Sequence, residues 1–161
     1  MEAPQQIVPT KLGDYLEVMT KAVFEAGMSW KIVEAKWPGF QAAFKGFDAE
    51  TVASLNPDEI DALTNDTRII RNRRKIEATV HNAATMIDLD REFGGFKNYL
   101  REHEDFWVRV ADLRRRFKHV GDFGAYYFLY VVGEEVPEHH EFRAKMLEGA
   151  KKERPAMGAR R

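Results

Sequence analysis

Phe117-Lys118-His119-Val120-Gly121-Asp122-Phe123-Gly124-Ala125 constrains this chain more than any other stretch. An apolar, helix-compatible segment holding Phe106, Val110 and Leu113 runs into it. The aromatic and apolar segment from Ala125 to Val132 runs out of it. Two helices are thus joined by a very short turn, with Gly121 expected to supply the backbone freedom. The second helix is expected to begin just after Gly121. The first amides of a helix have no partner within it, and together with the helix dipole they can hold a phosphate oxygen.

The rest of the chain supports an all-α reading. Leu12, Tyr15, Leu16, Met19, Val23 and Phe24 recur at helical spacing, and Gly27 follows as a stop. Ser29 is placed to cap a short helix from Trp30 to Lys36, which Pro38 is expected to end. Gly39–Phe47 and Ala49–Leu55 give two further pieces. Asn56-Pro57-Asp58-Glu59 combines a cap, a proline at the first helical position and a glutamate at the third, starting a helix to about Leu63. A long helix is predicted over Ile70–Ile87, a short piece at Phe96–Leu100, and a last helix over Glu138–Lys152. No segment alternates as a strand would, and no repeat is visible. The chain reads as 1–10 extended lead-in, 11–153 single-domain helical bundle and 154–161 disordered basic tail.

Composition adds limits. Hydrophobic residues make up 44% of the 161, enough for a real core. No run reaches the ~18 apolar residues of a membrane span, and Met1–Pro9 lacks the pattern of a secretory signal, so a cytoplasmic protein without a membrane partner is expected. There is no cysteine, which removes disulfides and thiolate metal sites. The net charge of −1 does not advertise nucleic acid, but the distribution is uneven. Arg68, Arg71, Arg73, Arg74 and Lys75 cluster, Arg114, Arg115, Arg116 and Lys118 flank the turn, and acids collect at Asp48–Asp66 and Glu134–Glu141. A basic run of this kind also fits a solvated helix face.

The turn resembles the helix-hairpin-helix of DNA repair proteins. Phe117, Lys118 and His119 stand at its Leu, Pro and first Gly, Val120 and Gly121 match, and Ala125 matches the closing Ala. An ordinary tight turn in a bundle shares these residues. Three co-linear stretches carry a more specific resemblance, to the DNA-3-methyladenine glycosylase I family. They are Phe24-Glu25-Ala26-Gly27-Met28-Ser29-Trp30, Ile69-Ile70-Arg71-Asn72-Arg73-Arg74-Lys75-Ile76 with Asn82-Ala83, and Phe117-Lys118-His119-Val120-Gly121. The similarity as a whole spans roughly Lys11 to His139.

The resemblance implies the helix-hairpin-helix glycosylase fold and hydrolysis of the N-glycosidic bond of an alkylated purine, such as 3-methyladenine, in double-stranded DNA. A glycosylase must grip backbone, extrude a nucleotide and stack its base. For the grip the candidates are Val120, Gly121, Asp122, Phe123 and Lys118, with Arg71, Arg73 and Arg74 adding charge. Trp30 is the first candidate for stacking, with Tyr126 and Tyr127 behind it. The two tyrosines are adjacent on one helix, so one is expected to face the core. No cofactor is implied, and a monomer is expected.

Two departures bear on the chemistry. The family's acidic pocket residue, eight positions before the tryptophan, is Ala22 here, and a methyl group accepts no hydrogen bond. Glu25, about one turn on, is a candidate substitute, the alternative being a surface carboxylate paired with Lys21. Glu138 lies near the place where many helix-hairpin-helix glycosylases carry a catalytic Asp, the alternative being a solvated acidic rim. The family's zinc site of two cysteines and two histidines is absent, and Glu138-His139-His140-Glu141 is too local to replace it. A DNA-binding or damage-sensing module that lost catalysis, and a protein-interaction domain, remain open beside the enzyme.

Overall fold

The structure is a computed structural model; it describes the backbone of residues 3–158 and the side chains of residues 3–149. The described residues form nine α-helices and no strand: α1 Leu12–Glu25, α2 Trp30–Ala43, α3 Ala49–Ala53, α4 Pro57–Thr64, α5 Arg73–Phe93, α6 Phe96–Leu100, α7 Phe106–Arg116, α8 Asp122–Val131 and α9 His139–Gly158. A 3-10 turn, Lys45–Phe47, links α2 to α3. The backbone of 154–158 continues α9; 159–161, the end of the expected basic tail, lies outside the described residues. Among the described residues no helix is long and apolar enough to cross a membrane.

Helix α5 is the central element, with α1, α3, α4 and α6 packed against it. Ile76, Ala83 and Met86 on it are fully buried. Its start lies three residues later than the apolar spacing suggests, because the Asn72 side chain caps it by accepting from the Lys75 amide at 3.1 Å. It runs on to Phe93, where Gly94, at φ 67°, ends it. The cap read at Asn56 is reciprocal: Asn56 Oδ1 accepts from the Glu59 amide at 2.8 Å and Glu59 Oε1 from the Asn56 amide at 3.0 Å.

Two expectations fail instructively in α2. Pro38 does not stop it; the helix continues to Ala43. Interior proline costs about 3 kcal/mol, but Trp37, Phe40, Phe44 and Phe47 form a continuous ring stack across that point, with centroids 4.8 Å apart for Trp37–Phe40 and 5.5 Å for Trp37–Phe47. Each buried ring is worth about 1.5–3 kcal/mol, so the stack outweighs the lost bond. The Ser29 hydroxyl makes no capping bond. Its carbonyl instead accepts from Ile32 and Val33.

The hairpin forms as expected from α7 and α8, but its backbone freedom lies elsewhere. Gly121 is extended, at φ −96° and ψ −169°, and the left-handed residue is His119, at φ 58°. His119 occupies the position where the motif carries its first glycine. The left-handed region costs a non-glycine residue about 1–2 kcal/mol, of which glycine returns part through greater freedom when unfolded. His119→Gly is therefore expected to raise stability by about 0.5–1 kcal/mol in urea unfolding. An unchanged or lower midpoint would contradict this account of the turn.

From below, Asn82 on α5 clamps the same turn. Its Oδ1 accepts from the Lys118 amide at 2.8 Å and its Nδ2 donates to the Lys118 carbonyl at 3.1 Å. The two bonds fix both polar groups of one peptide residue, tying the hairpin to the central helix.

Candidate functional site

A groove of about 860 Å³ opens along α1 between α2, α8 and the lead-in. Trp30, Glu25 and Tyr127 line it, with Lys21, Glu34 and Trp37 beside them. Trp30 is 47% exposed and, among the described residues, no aromatic ring or cation packs on its face. Trp37 contrasts with it: its ring is stacked in the core and its Nε1 donates to Glu17 at 2.8 Å. Of the tryptophans lining the groove, Trp30 is the one with a ring face to offer.

Glu25 is half-buried in this groove. The expected pairing with Lys21 does not form, because Lys21 bridges to Glu34 across the groove at 2.5 Å. Burial pushes the Glu25 carboxyl up to about 7, with Glu34 adding to the rise and Lys21 opposing it. Burial, then the charges of Glu25 and Glu34, also push the Tyr127 hydroxyl up.

The position of Glu25 is held from α5. Lys75 turns inward from the basic run and is 7% exposed. Its Nζ donates to the carbonyls of Phe24, at 3.2 Å, and Ala26, at 2.7 Å, the residues on either side of Glu25. It closes the end of α1, whose last carbonyls have no helical partner. Burial lowers its ammonium from the usual range. The sequence signal was available: Lys75 stands next to the buried Ile76 at the start of an inward helical face.

The raised carboxyl gives a stability prediction with a definite sign. The unfolded chain titrates Glu25 near its ordinary value of 4.5 and the folded chain near 7. Between those values the folded state holds the proton more tightly, so stability falls as pH rises through the window and stays reduced above it. Glu25→Gln removes that penalty. At pH 8 it is expected to gain about 1–2 kcal/mol over the parent, allowing for the part of the group still in water, and nothing at pH 4. Equal gaps at both pH values in denaturant titrations would rule this out.

Other candidates separate from the groove. Tyr126 is 8% exposed, donates to the Pro137 carbonyl at 2.6 Å and is buried against Phe106 and Phe142, away from the groove, whereas Tyr127 packs against the main core and lines the groove. Glu138 does not line the groove; its side chain is 74% exposed and contacts His140 at 3.2 Å. The acidic rim read around it is also incomplete, since Glu134 is buried and bound by Arg101 at 3.0 Å. Ala22 is buried, and a Cβ on Gly124 of α8 would meet it at 3.8 Å. It belongs to the α1–α8 contact beside the groove.

At the hairpin, Lys118 and Gly121 are exposed, Val120 is buried, and Phe123 is 55% exposed. Asp122 is paired with Arg114 at 3.0 Å, which offsets its charge at the helix start. Arg73 is engaged by Asp61 at 2.6 Å and Glu77 at 3.8 Å, whereas Arg71 and Arg74 are exposed with no ion pair among the described residues. The Glu138, His140 and Glu141 side chains converge but are all exposed. Without cysteine they do not reproduce a Cys₂His₂ zinc site, and no chemistry is assigned to a metal.

Sequence reading missed the lead-in. Residues 3–7 form neither helix nor strand, but they are docked. The Ile7 amide donates to the Val131 carbonyl at 2.8 Å and Gln6 Nε2 to the Tyr130 carbonyl at 2.9 Å. These bonds satisfy carbonyls at the end of α8, and the segment forms one wall of the groove.

An all-helical bundle with this hairpin and a groove beside it is the fold of the helix-hairpin-helix 3-methyladenine glycosylases. It is similar to the Staphylococcus aureus 3-methyladenine DNA glycosylase I (TM-score 0.71, 23% identity, 80% of each chain) and to a solution structure of a 3-methyladenine DNA glycosylase I (TM-score 0.67, 25% identity, 82% of each). The sequence model of the methyladenine glycosylase family matches residues 13–120, and the chain belongs to that family. It is 31% identical over 93 residues to the DNA-3-methyladenine glycosylase of Haemophilus influenzae, covering 56% of this chain and 50% of that one. It is 32% identical over 76 residues to DNA-3-methyladenine glycosylase 1 of Escherichia coli, covering 47% and 41%. The matched stretches thus span half or less of those relatives.

Proposed function

We propose that this protein excises an alkylated purine from double-stranded DNA by hydrolysing its N-glycosidic bond. The observation that carries this reading is Glu25, a half-buried carboxyl with no ion-pair partner among the described residues, in one groove with the exposed ring face of Trp30 and with Tyr127. An N-alkylated purine in DNA is cationic. Aromatic faces attract it by about 0.5–2 kcal/mol, and an ionised Glu25 adds Coulomb attraction and an acceptor for an exocyclic amine. The C1′–N bond breaks with its electron pair passing to the base, which leaves uncharged; water adds to the sugar carbon and releases a proton. A leaving group already activated by its charge needs little help from a general acid.

The hairpin amides from Val120 to Phe123 supply the grip on the DNA backbone, helped by Lys118, Arg71 and Arg74. Arg73 contributes less because its charge is already shared with two acids. Ala22, in place of the family's acid, favours one second reading, a module that binds damaged DNA without turnover. Incubating the purified chain with methylated duplex DNA and identifying any released base by mass separates the two. Release of a methylated purine supports the enzyme; tight binding without release supports the module.

A further inference from the structure

The groove is longer than one base requires. It follows α1 from Glu25 back to Asp14, eleven residues, or about 16 Å at 1.5 Å per residue. Its two ends differ in chemistry. The end at Glu25, Trp30 and Tyr127 is aromatic and acidic. The other end lies between Val18, Val131 and the docked lead-in, where Pro4 and Ile7 form an apolar wall. The carboxylates at that end are engaged: Asp14 accepts from the amides of Thr10 and Lys11, and Glu17 accepts from Trp37 and Gln41, which leaves the neutral Gln5 as the polar side chain beside the apolar wall. Ile7 is 37% exposed there, Val18 and Val131 are nearly buried behind it, and the backbone bond from Ile7 to Val131 holds the wall in place.

Resting on the reading that the Glu25 end takes the purine, we infer that the apolar end houses the alkyl substituent, so that the site selects N-alkylpurines whose substituent is larger than methyl. The total volume of about 860 Å³ is in the range of pockets for drug-sized ligands, far more than a methylated base fills. The placement of the substituent follows from continuity: the groove that holds the Trp30 ring runs along α1 towards Val18 and Ile7.

The test is direct binding by the intact chain, read from tryptophan fluorescence, with free 3-methyl-, 3-ethyl-, 3-butyl- and 3-benzyladenine as probes. Burial of each added methylene strengthens affinity about fourfold, so the dissociation constant is expected to fall stepwise from methyl to butyl. Ile7→Ser, at a residue 37% exposed, is expected to flatten that series. A flat or rising series in the parent chain, with 3-methyladenine still bound, overturns this inference and leaves the base site standing. Failure of every alkyladenine to bind overturns this inference, and the base reading falls with it only if methylated duplex DNA also releases no base.

Discussion

Trp30→Ala is expected to lower base release from methylated duplex DNA by about 100-fold while leaving the melting temperature within about 2 °C of the parent. The two halves have separate causes. Stacking of a base on an aromatic ring is worth about 1–3 kcal/mol, and the positive charge of an alkylated purine adds about 0.5–2 kcal/mol through cation–π attraction. If that interaction is made by the flipped base and not by the duplex, its loss appears in turnover. Stability is spared because the ring is 47% exposed and packs on no other ring. Binding to undamaged duplex should also survive, since the hairpin and its basic neighbours are untouched. Single-turnover release with thermal melting distinguishes the outcomes. Parent-level release by Trp30→Ala would place the base elsewhere, and a collapse of the melting temperature would make Trp30 a structural residue.

The parts of this site that could be read from sequence are those fixed by local chemistry. The short turn after Phe117 and the cap at Asn56 each depend on a few adjacent residues, and both formed where those residues stand. Trp30 and Tyr127 could be nominated but not decided, because a tryptophan at a helix start and two adjacent tyrosines leave burial open. Their environments come from long-range packing: the ring stack that claims Trp37, and the Phe142 contact that claims Tyr126.

What escaped sequence reading involves partners far apart in the chain. The partner of Lys21 is Glu34 on the next helix, not Glu25 on its own, and that choice is what leaves Glu25 unpaired. Lys75 is separated by 51 residues from the Phe24 carbonyl it caps. The lead-in, polar and proline-bearing, carries no periodicity to announce that it docks on α8, since its bonds there are made by one backbone amide and one glutamine. His119 shows the reverse case: a motif position that demands a left-handed residue is met by histidine, and the strain is tolerated because Asn82 holds the next residue back.

Gly39→Ala is expected to cost about 3 kcal/mol and to lower the melting temperature by about 6–12 °C, the largest stability effect foreseen for so small a change. A Cβ at Gly39 would lie 2.2 Å from the Arg68 carbonyl oxygen and 3.0 Å from the Arg68 Cβ. The neighbour is backbone, so no rotamer change relieves the clash. Nor can the Arg68 segment retreat easily. The Arg68 amide donates to Asp66 at 2.9 Å, its guanidinium is bound to the same carboxylate, and Ile69 beside it is anchored in the core at 2% exposure. On the other side α2 is pinned by Trp37 and Phe40. The strain would therefore reach the helix that carries Trp30 as well as lowering stability. Gly121→Ala is the control: a Cβ there meets nothing within 4 Å, and its extended backbone suits any residue, so its stability is expected within about 0.5 kcal/mol of the parent. Equal melting temperatures for Gly39→Ala and the parent would mean that α2 and the 66–69 turn separate readily, and that the groove's wall on α2 is looser than this packing describes.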